Sequence, residues 1–236
     1  MDKNMTRAKK AVELNSHRIT PEQVDQATAE DLRITVKPLR QRQASFRLVG
    51  TSPLMVLRFS VKRKRKMMDT HEAGSQARSK KIREARNFEA DFEESKYKLP
   101  DGSCGLNAAG LRRGLIEVCR LAGFKMIMAK MSVFVEADGY DDDDNTPLIR
   151  IQGTPEMSVM PVRNASGVID LRSRPVWREW KIDPVRIRWD LDQFSATDIF
   201  HLLQRVGAQN GLGEGRPNGK ESAGMGFGLF DVELLD

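Results

Sequence analysis

Near its end the chain reads GLGEGRPNGKESAGMGFG, from Gly211 to Gly228. Glycine in an ordered loop costs conformational entropy, so such a cluster marks backbone that needs φ > 0 or must approach something closely. A phosphate cradle, a tight turn and a disordered linker all fit. The cradle is the chemical reading: successive N–H groups can face a phosphate chain without regard to base identity. Gly211 and Gly213 would open the loop to such an approach, and Arg216 and Lys220 would add charge. The loop is not a Walker loop, because no Gly-Lys-Ser/Thr ending opens a helix after it. Nor is it a dinucleotide fingerprint, because it precedes a strand. A plain structural hairpin stays open as the alternative.

Two other stretches carry charge in a pattern. Lys62, Arg63, Lys64, Arg65 and Lys66 are five consecutive cations, which form either a solvated face or a contact for a polyanion. Further on, Lys181–Asp190 alternates: Val185, Ile187 and Trp189 point one way and Arg186 and Arg188 the other. Trp189 belongs to the core on this pattern, while Trp177 and Trp180 in the same Arg/Trp stretch either offer stacking partners for unpaired bases or belong to the core as well.

Catalysis finds no comparable support. His17 lies in a polar N-terminal arm, His71 in a charged insertion, and His201 within a helix between Phe200 and Leu202 as a structural residue. Cys119 reads as packing, Cys104 has no base partner, and two cysteines make neither a disulfide framework nor a zinc site. The aspartates of 138–145 lack the alternating ligands and closing Glu of a calcium loop, so they read as a solvated loop that keeps one edge off polyanions. No cofactor and no enzymatic activity are expected. With no apolar run long enough to span a bilayer and no secretory leader, the chain is expected in the cytoplasm and away from membranes.

The elements that would position these residues follow from pattern. At 236 residues, 39% hydrophobic and 31% charged with a net charge of +6, the chain suits one domain and a polyanionic partner. Residues 1–30 read as a flexible arm with a short helix over Pro21–Leu32, and 31–236 as a single domain. Strands are expected at 31–37, 45–50, 129–136, 148–152, 181–190 and 229–235, with an apolar run over 54–59. A hairpin turns at Asp101-Gly102. The clearest helix runs from an Asn107 cap to a Gly123 stop, with Leu111, Leu115, Val118 and Ala122 inward and Arg112, Arg113 and Arg120 off that face. Another starts at Ser195 and ends at Gly207. Residues 60–98 form a long, basic, partly helical insertion. This order gives an α+β fold, a ferredoxin/RRM-like βαββαβ core carrying insertions.

Two stretches carry a resemblance. Gly105 to Ile116, GLNAAGLRRGLI, resembles the strand-to-helix motif of RAMP-superfamily CRISPR proteins, and Gly211–Phe230 resembles their glycine-rich loop and last strand. Their guide-RNA-binding backbone subunits have an RRM-like fold and an insertion where 60–98 falls here. Most of the chain also resembles bacteriophage-encoded proteins of unassigned function, through VGTSPL at 49–54, LPDG at 99–102 and the GLGEGRP…GFGLFDV ending. Gly215 stands where that family has Trp. The resemblance implies a non-enzymatic subunit that binds single-stranded RNA or DNA and polymerises along it as a homo-oligomer or filament. Its role would lie in replication, recombination or counter-defence, with Asn107, Arg112, Arg113, Gly211, Gly213, Arg216 and Lys220 as contacts. The alternatives are a true CRISPR backbone subunit on a guide RNA and a phage assembly factor that binds protein. For a metal-dependent nuclease of that superfamily, Asp69 is the only counterpart of the cleaving aspartate.

Overall fold

The computed structural model describes residues 37–59, 61–74, 85–163, 167, 169–219 and 224–235, without the side chains of 63 and 163. The arm over 1–30, the strand at 31–37 apart from its last residue, the middle of the insertion at 75–84 and Lys220 lie outside the described residues. The chain divides into Met1–Leu39 and Arg40–Asp236, and all the described secondary structure belongs to the second unit.

In chain order that unit contains β1 (Gln41–Gly50), β2 (Leu54–Met55), α1 (Val61–Glu72), α2 (Phe88–Glu94), β3 (Tyr97–Lys98) and β4 (Cys104–Asn107). Next come α3 (Ala108–Val118), a 3₁₀ turn (Cys119–Ala122), α4 (Met126–Ser132), β5 (Val133–Glu136), β6 (Gly139–Tyr140) and β7 (Pro147–Arg150). The hairpin of β8 (Glu156–Arg163) and β9 (Ile169–Trp177) leads to β10 (Lys181–Asp190). The chain closes with α5 (Ala196–Arg205), a π turn (Val206–Asn210) and β11 (Phe230–Leu235). The fold is therefore α+β with antiparallel sheets.

The central sheet has the order β11-β1-β10-β5, each neighbouring pair antiparallel. Alternation along the strands sends Phe46, Leu48, Val185, Ile187 and Trp189 to one face, where Leu111, Leu115, Ile199 and Leu203 from α3 and α5 complete the core. Two smaller sheets flank it, β2-β9-β8 and β3-β4-β7-β6. No helix among the described residues is long and apolar enough to cross a membrane.

The caps read from sequence are present. Asn107 Oδ1 accepts from Ala109 N at 2.8 Å, Gly123 takes φ 72° after the 3₁₀ turn, and Ser195 with Asp198 forms a capping box at the start of α5. The hairpin at Asp101-Gly102 pairs β3 with β4.

Several expectations are corrected. Residues 126–132 are helical and only 133–136 form a strand. Met, Ala and Lys are good helix formers, and Ala129 and Ser132 bury one side of that helix. The helix begun at Ser195 runs through Gly207 to Asn210, because a Cβ at Gly207 would lie 2.0 Å from Phe230 O. Its missing side chain admits the last strand instead of ending the helix. Of the run 54–59 only Leu54–Met55 pairs as a strand, and Leu57 and Phe59 are exposed. Ala122 and His201 are exposed. Trp177 and Trp180 are as buried as Trp189, and Trp180 donates to Ser52 O at 2.8 Å. Neither is available to stack on a base.

The acidic loop departs furthest from expectation. Asp141 is buried, and both its carboxylate oxygens accept from Arg58, at 3.0 Å from Nε and 2.7 Å from Nη2. Arg58 also donates to Asp143. The segment is a structural clamp as well as a solvated edge.

Candidate nucleic-acid interface

The residues singled out in the sequence fall in four places. On α1, Lys62, Lys64, Arg65 and Lys66 are exposed, and no described residue of this helix is buried. Its first turn carries no acid, so the cations crowd the positive end of the helix dipole and disfavour the helix in isolation. Arg63 shares the helix, but its side chain lies outside the described residues.

Arg186 and Arg188 lie half-buried on the face of the central sheet away from α3 and α5. Arg186 pairs with Asp138 at 2.6 Å and Arg188 with Glu136 at 2.8 Å. Beside them Arg47 reaches Asp183 at 2.6 Å and Glu233 at 2.9 Å. Three arginines thus meet four carboxylates, and among the described residues these arginines bring no surplus of positive charge.

The glycine loop spends its geometry on its own chain. Gly211, Gly213, Gly215, Gly224, Gly226 and Gly228 all have φ between 66° and 77°, a region that favours glycine. What approaches is protein: a Cβ at Gly213 would sit 2.1 Å from Met55 O, and one at Gly228 2.0 Å from Leu212 O. Several loop N–H groups are taken up internally, Gly211 by Val206 O at 2.8 Å, Glu214 by Met55 O at 2.8 Å and Gly228 by Pro53 O at 2.8 Å. Arg216 Nη1 donates to Gly213 O at 3.0 Å. The loop's glycines therefore serve close packing. At Gly215 the Phe227 ring stands 3.1 Å from the place of a Cβ.

The fourth place is a groove, and it brings separate parts of the chain together. One recess of about 390 Å³ is lined by Ala109, Arg112, Arg113, Ile116, Glu117, Met126 and Lys130. Next to it a recess of about 470 Å³ runs from Glu117, Arg120, Leu121 and Met126 to Gln209, Asn210, Pro217 and Asn218. Glu117 and Met126 line both, so the two recesses adjoin along α3, with α4 contributing Met126 and Lys130 and the glycine loop Pro217 and Asn218. Arg112, Arg113, Arg120 and Lys130 face a single carboxylate, Glu117.

Arg112 holds the wall. Its Nε donates to Val133 O at 2.8 Å, its Nη2 donates to Lys130 O, and its guanidinium lies 4.7 Å from the Phe134 ring centre. Arg113 is 65% exposed and donates to Glu117 Oε1 at 2.8 Å. The other carboxylate oxygen accepts from Asn218 Nδ2 at 3.0 Å, and Asn218 also donates to Asn210 Oδ1 at 2.7 Å. These bonds tie the loop to the helix. Leu121 of the 3₁₀ turn is exposed and lines the second recess, and Ile127 and Met131 are exposed on α4.

Asn107 is a cap, one turn from the groove, and Lys220 lies outside the described residues. Arg120 and Lys130 were not singled out as contacts. Arg120 was recoverable from its helical spacing with Arg113; Lys130 was hidden by reading its segment as a strand.

Among the described residues no three His, Cys, Asp or Glu side chains are grouped to hold a metal ion. Burial pushes the Cys119 thiol up to about 11 and raises that of Cys104 as well. No protein-family model matches the chain, and no curated protein matches it in sequence.

Proposed function

We propose that this protein binds single-stranded nucleic acid through its phosphates, in the groove along α3, without reading sequence. The observation that carries the proposal is the charge of the groove: four cations face one carboxylate, whereas the arginines of the sheet face are matched. Cations left unmatched in a concave site concentrate potential and attract a polyanion. Exposed Leu121 in the lining favours a strand whose bases are uncovered over a duplex. The exposed cations of α1 form a second contact, since phosphates would supply the anions that its first turn lacks.

The fold supports the same reading. Counting β1, β5, β10 and β11 as first to fourth, α3 lies between the first and second and α5 between the third and fourth. The sheet order is then fourth-first-third-second, as a ferredoxin/RRM-like βαββαβ core requires, with β6 to β9 as an insertion. The β8–β9 hairpin favours a second reading, assembly with other copies or a protein partner, because Met157, Val159, Ile169 and Leu171 are exposed on one of its faces.

The test is fluorescence anisotropy with labelled 30-mer RNA, single-stranded DNA and duplex over a salt series. Wild type should prefer a single strand. The Arg120→Ala/Lys130→Ala variant should flatten the salt slope by about 1.4, from about 0.7 per lost phosphate contact. An unchanged slope would move the interface away from the groove. No binding by wild type at about 50 mM salt would discard the proposal and leave the hairpin as the functional surface.

A further inference from the structure

A second recess of about 340 Å³ lies on the far side of the 3₁₀ turn, where Cys119 and Ala122 line it, while Arg120 and Leu121 of the same turn face the groove. One wall is aromatic. Phe124 and Phe194 pack with ring centres 4.6 Å apart and planes tilted by 46°. Phe194 is buried and Phe124 only half-buried, so Phe124 is the ring that a planar group in the recess would meet.

The opposite wall is one stripe of α5, with Asp198, His201, Leu202 and Arg205 all lining the recess. Asp198 and Arg205 are two turns apart, about 10 Å along the axis. Their charges are opposite, and so is their state. Asp198 Oδ2 accepts from Ser195 N at 2.8 Å and from Ser195 Oγ at 2.7 Å. Those two bonds, the hydroxyl's first, hold its carboxyl below the usual range, with a smaller contribution from the charge of His201. It therefore stays an acceptor at neutral pH. Arg205 makes no ion pair among the described residues, and it is exposed.

We propose that this recess binds a nucleotide whose base carries an exocyclic amine. The base lies against Phe124, its amine donates to Asp198, and its 5′-phosphate reaches Arg205, with His201 beside the sugar. The spacing decides the class. The span from the exocyclic amine of a base to its phosphate is of the order of the two helical turns between the acid and the arginine. A volume of about 340 Å³ also falls at the small end of ligand pockets, as suits a mononucleotide. This site is independent of the groove: no side chain lines both.

The experiment is calorimetric titration of the full chain with AMP, with IMP, which has an oxo group in place of the amine, and with adenosine, which lacks the phosphate. AMP should bind saturably, with IMP and adenosine each weaker by about tenfold, the worth of one charge-assisted hydrogen bond. Arg205→Ala, at an exposed position, should bring AMP to the level of adenosine and leave adenosine unchanged. Phe124→Leu, which keeps the side chain apolar, should weaken AMP and adenosine alike by about tenfold through lost stacking. Absence of AMP binding at millimolar concentration overturns the site. So does equal binding of AMP and IMP, or binding that survives both variants. AMP binding lost in Arg113→Ala/Arg120→Ala would place the ligand in the groove instead, and overturns it too.

Discussion

The arginine-bearing sheet face and the α3 groove look alike as composition and differ as electrostatics. Each presents several arginines within reach of one another. On the sheet, Arg47, Arg186 and Arg188 are each paired with a carboxylate from a neighbouring strand or loop. In the groove the only carboxylate among the described residues, Glu117, spends one oxygen on Arg113 and the other on Asn218. An arginine's value to a ligand depends on what already occupies it. A matched guanidinium must first be released, whereas an unmatched one in a concavity needs only a phosphate. Matched arginines hold this fold together, and unmatched ones are where a partner can act.

The largest effect expected of that distinction is at Arg58, the most thoroughly matched of all. It is buried and bonds both oxygens of buried Asp141. Its guanidinium is driven further up from its ordinary value by the hydrogen bond to Asp141 above all, against the opposing effect of burial. Arg58→Met leaves Asp141 buried and unpaired, which costs about 3–5 kcal/mol. Urea unfolding should show that loss, while the salt slope of nucleic-acid binding stays as in wild type. A loss below about 1 kcal/mol would mean that the loop carries Asp141 into water and that the clamp is dispensable.

A smaller effect comes from making the two surfaces alike. Glu136→Gln/Asp138→Asn removes the partners of Arg188 and Arg186 and gives the sheet face two unmatched cations. Binding should then tighten, and the salt slope should steepen by about 1.4, from about 0.7 per added phosphate contact on a single strand. If the slope does not move, matching is not what silences the sheet face. The shape of the groove would then be the deciding property.

How much of this was legible follows from the range over which each feature is fixed. The alternation in 181–190 was readable because one face of β10 is buried along its whole length, and a period of two leaves no ambiguity. The Asn107 and Ser195 caps were readable because capping is decided within three residues. The glycine loop was half legible. Its need for positive φ is local, but the objects approached, the carbonyls of Met55 and Leu212, depend on how the loop returns to β2 and to itself. The helix α4 was missed because Met126–Ser132 has no decisive apolar period, and its end is fixed by Arg112 bonding Val133 O from another helix. The pairing of Arg58 with Asp141 spans 83 residues, and no local pattern announces it. Matching of that kind separates the two basic surfaces, and it is the property that composition hides.

The smallest effect concerns an exposed matched pair and carries its own pH signature. Asp101 accepts from Ser103 N at 3.0 Å and Ser103 Oγ at 2.6 Å, and pairs with Arg150 at 2.6 Å. The Ser103 bonds first, and then Arg150, hold its carboxyl down from an ordinary 3.8 to about 2. A carboxylate whose folded value is depressed stabilises the fold in full above the unfolded value and ceases to as the pH falls through the folded one. Stability should therefore decline between pH 3.8 and about 2, joined by the likewise depressed Glu93, Asp144, Asp170 and Asp198. Asp101→Asn should remove only its own share, giving a slightly shallower fall of the urea midpoint across that window and little change at pH 7. An identical fall in wild type and variant would mean that solvent screens this pair completely. Matching at the surface would then count for nothing, and the contrast drawn from Arg186 and Arg188 would have to rest on their partial burial alone.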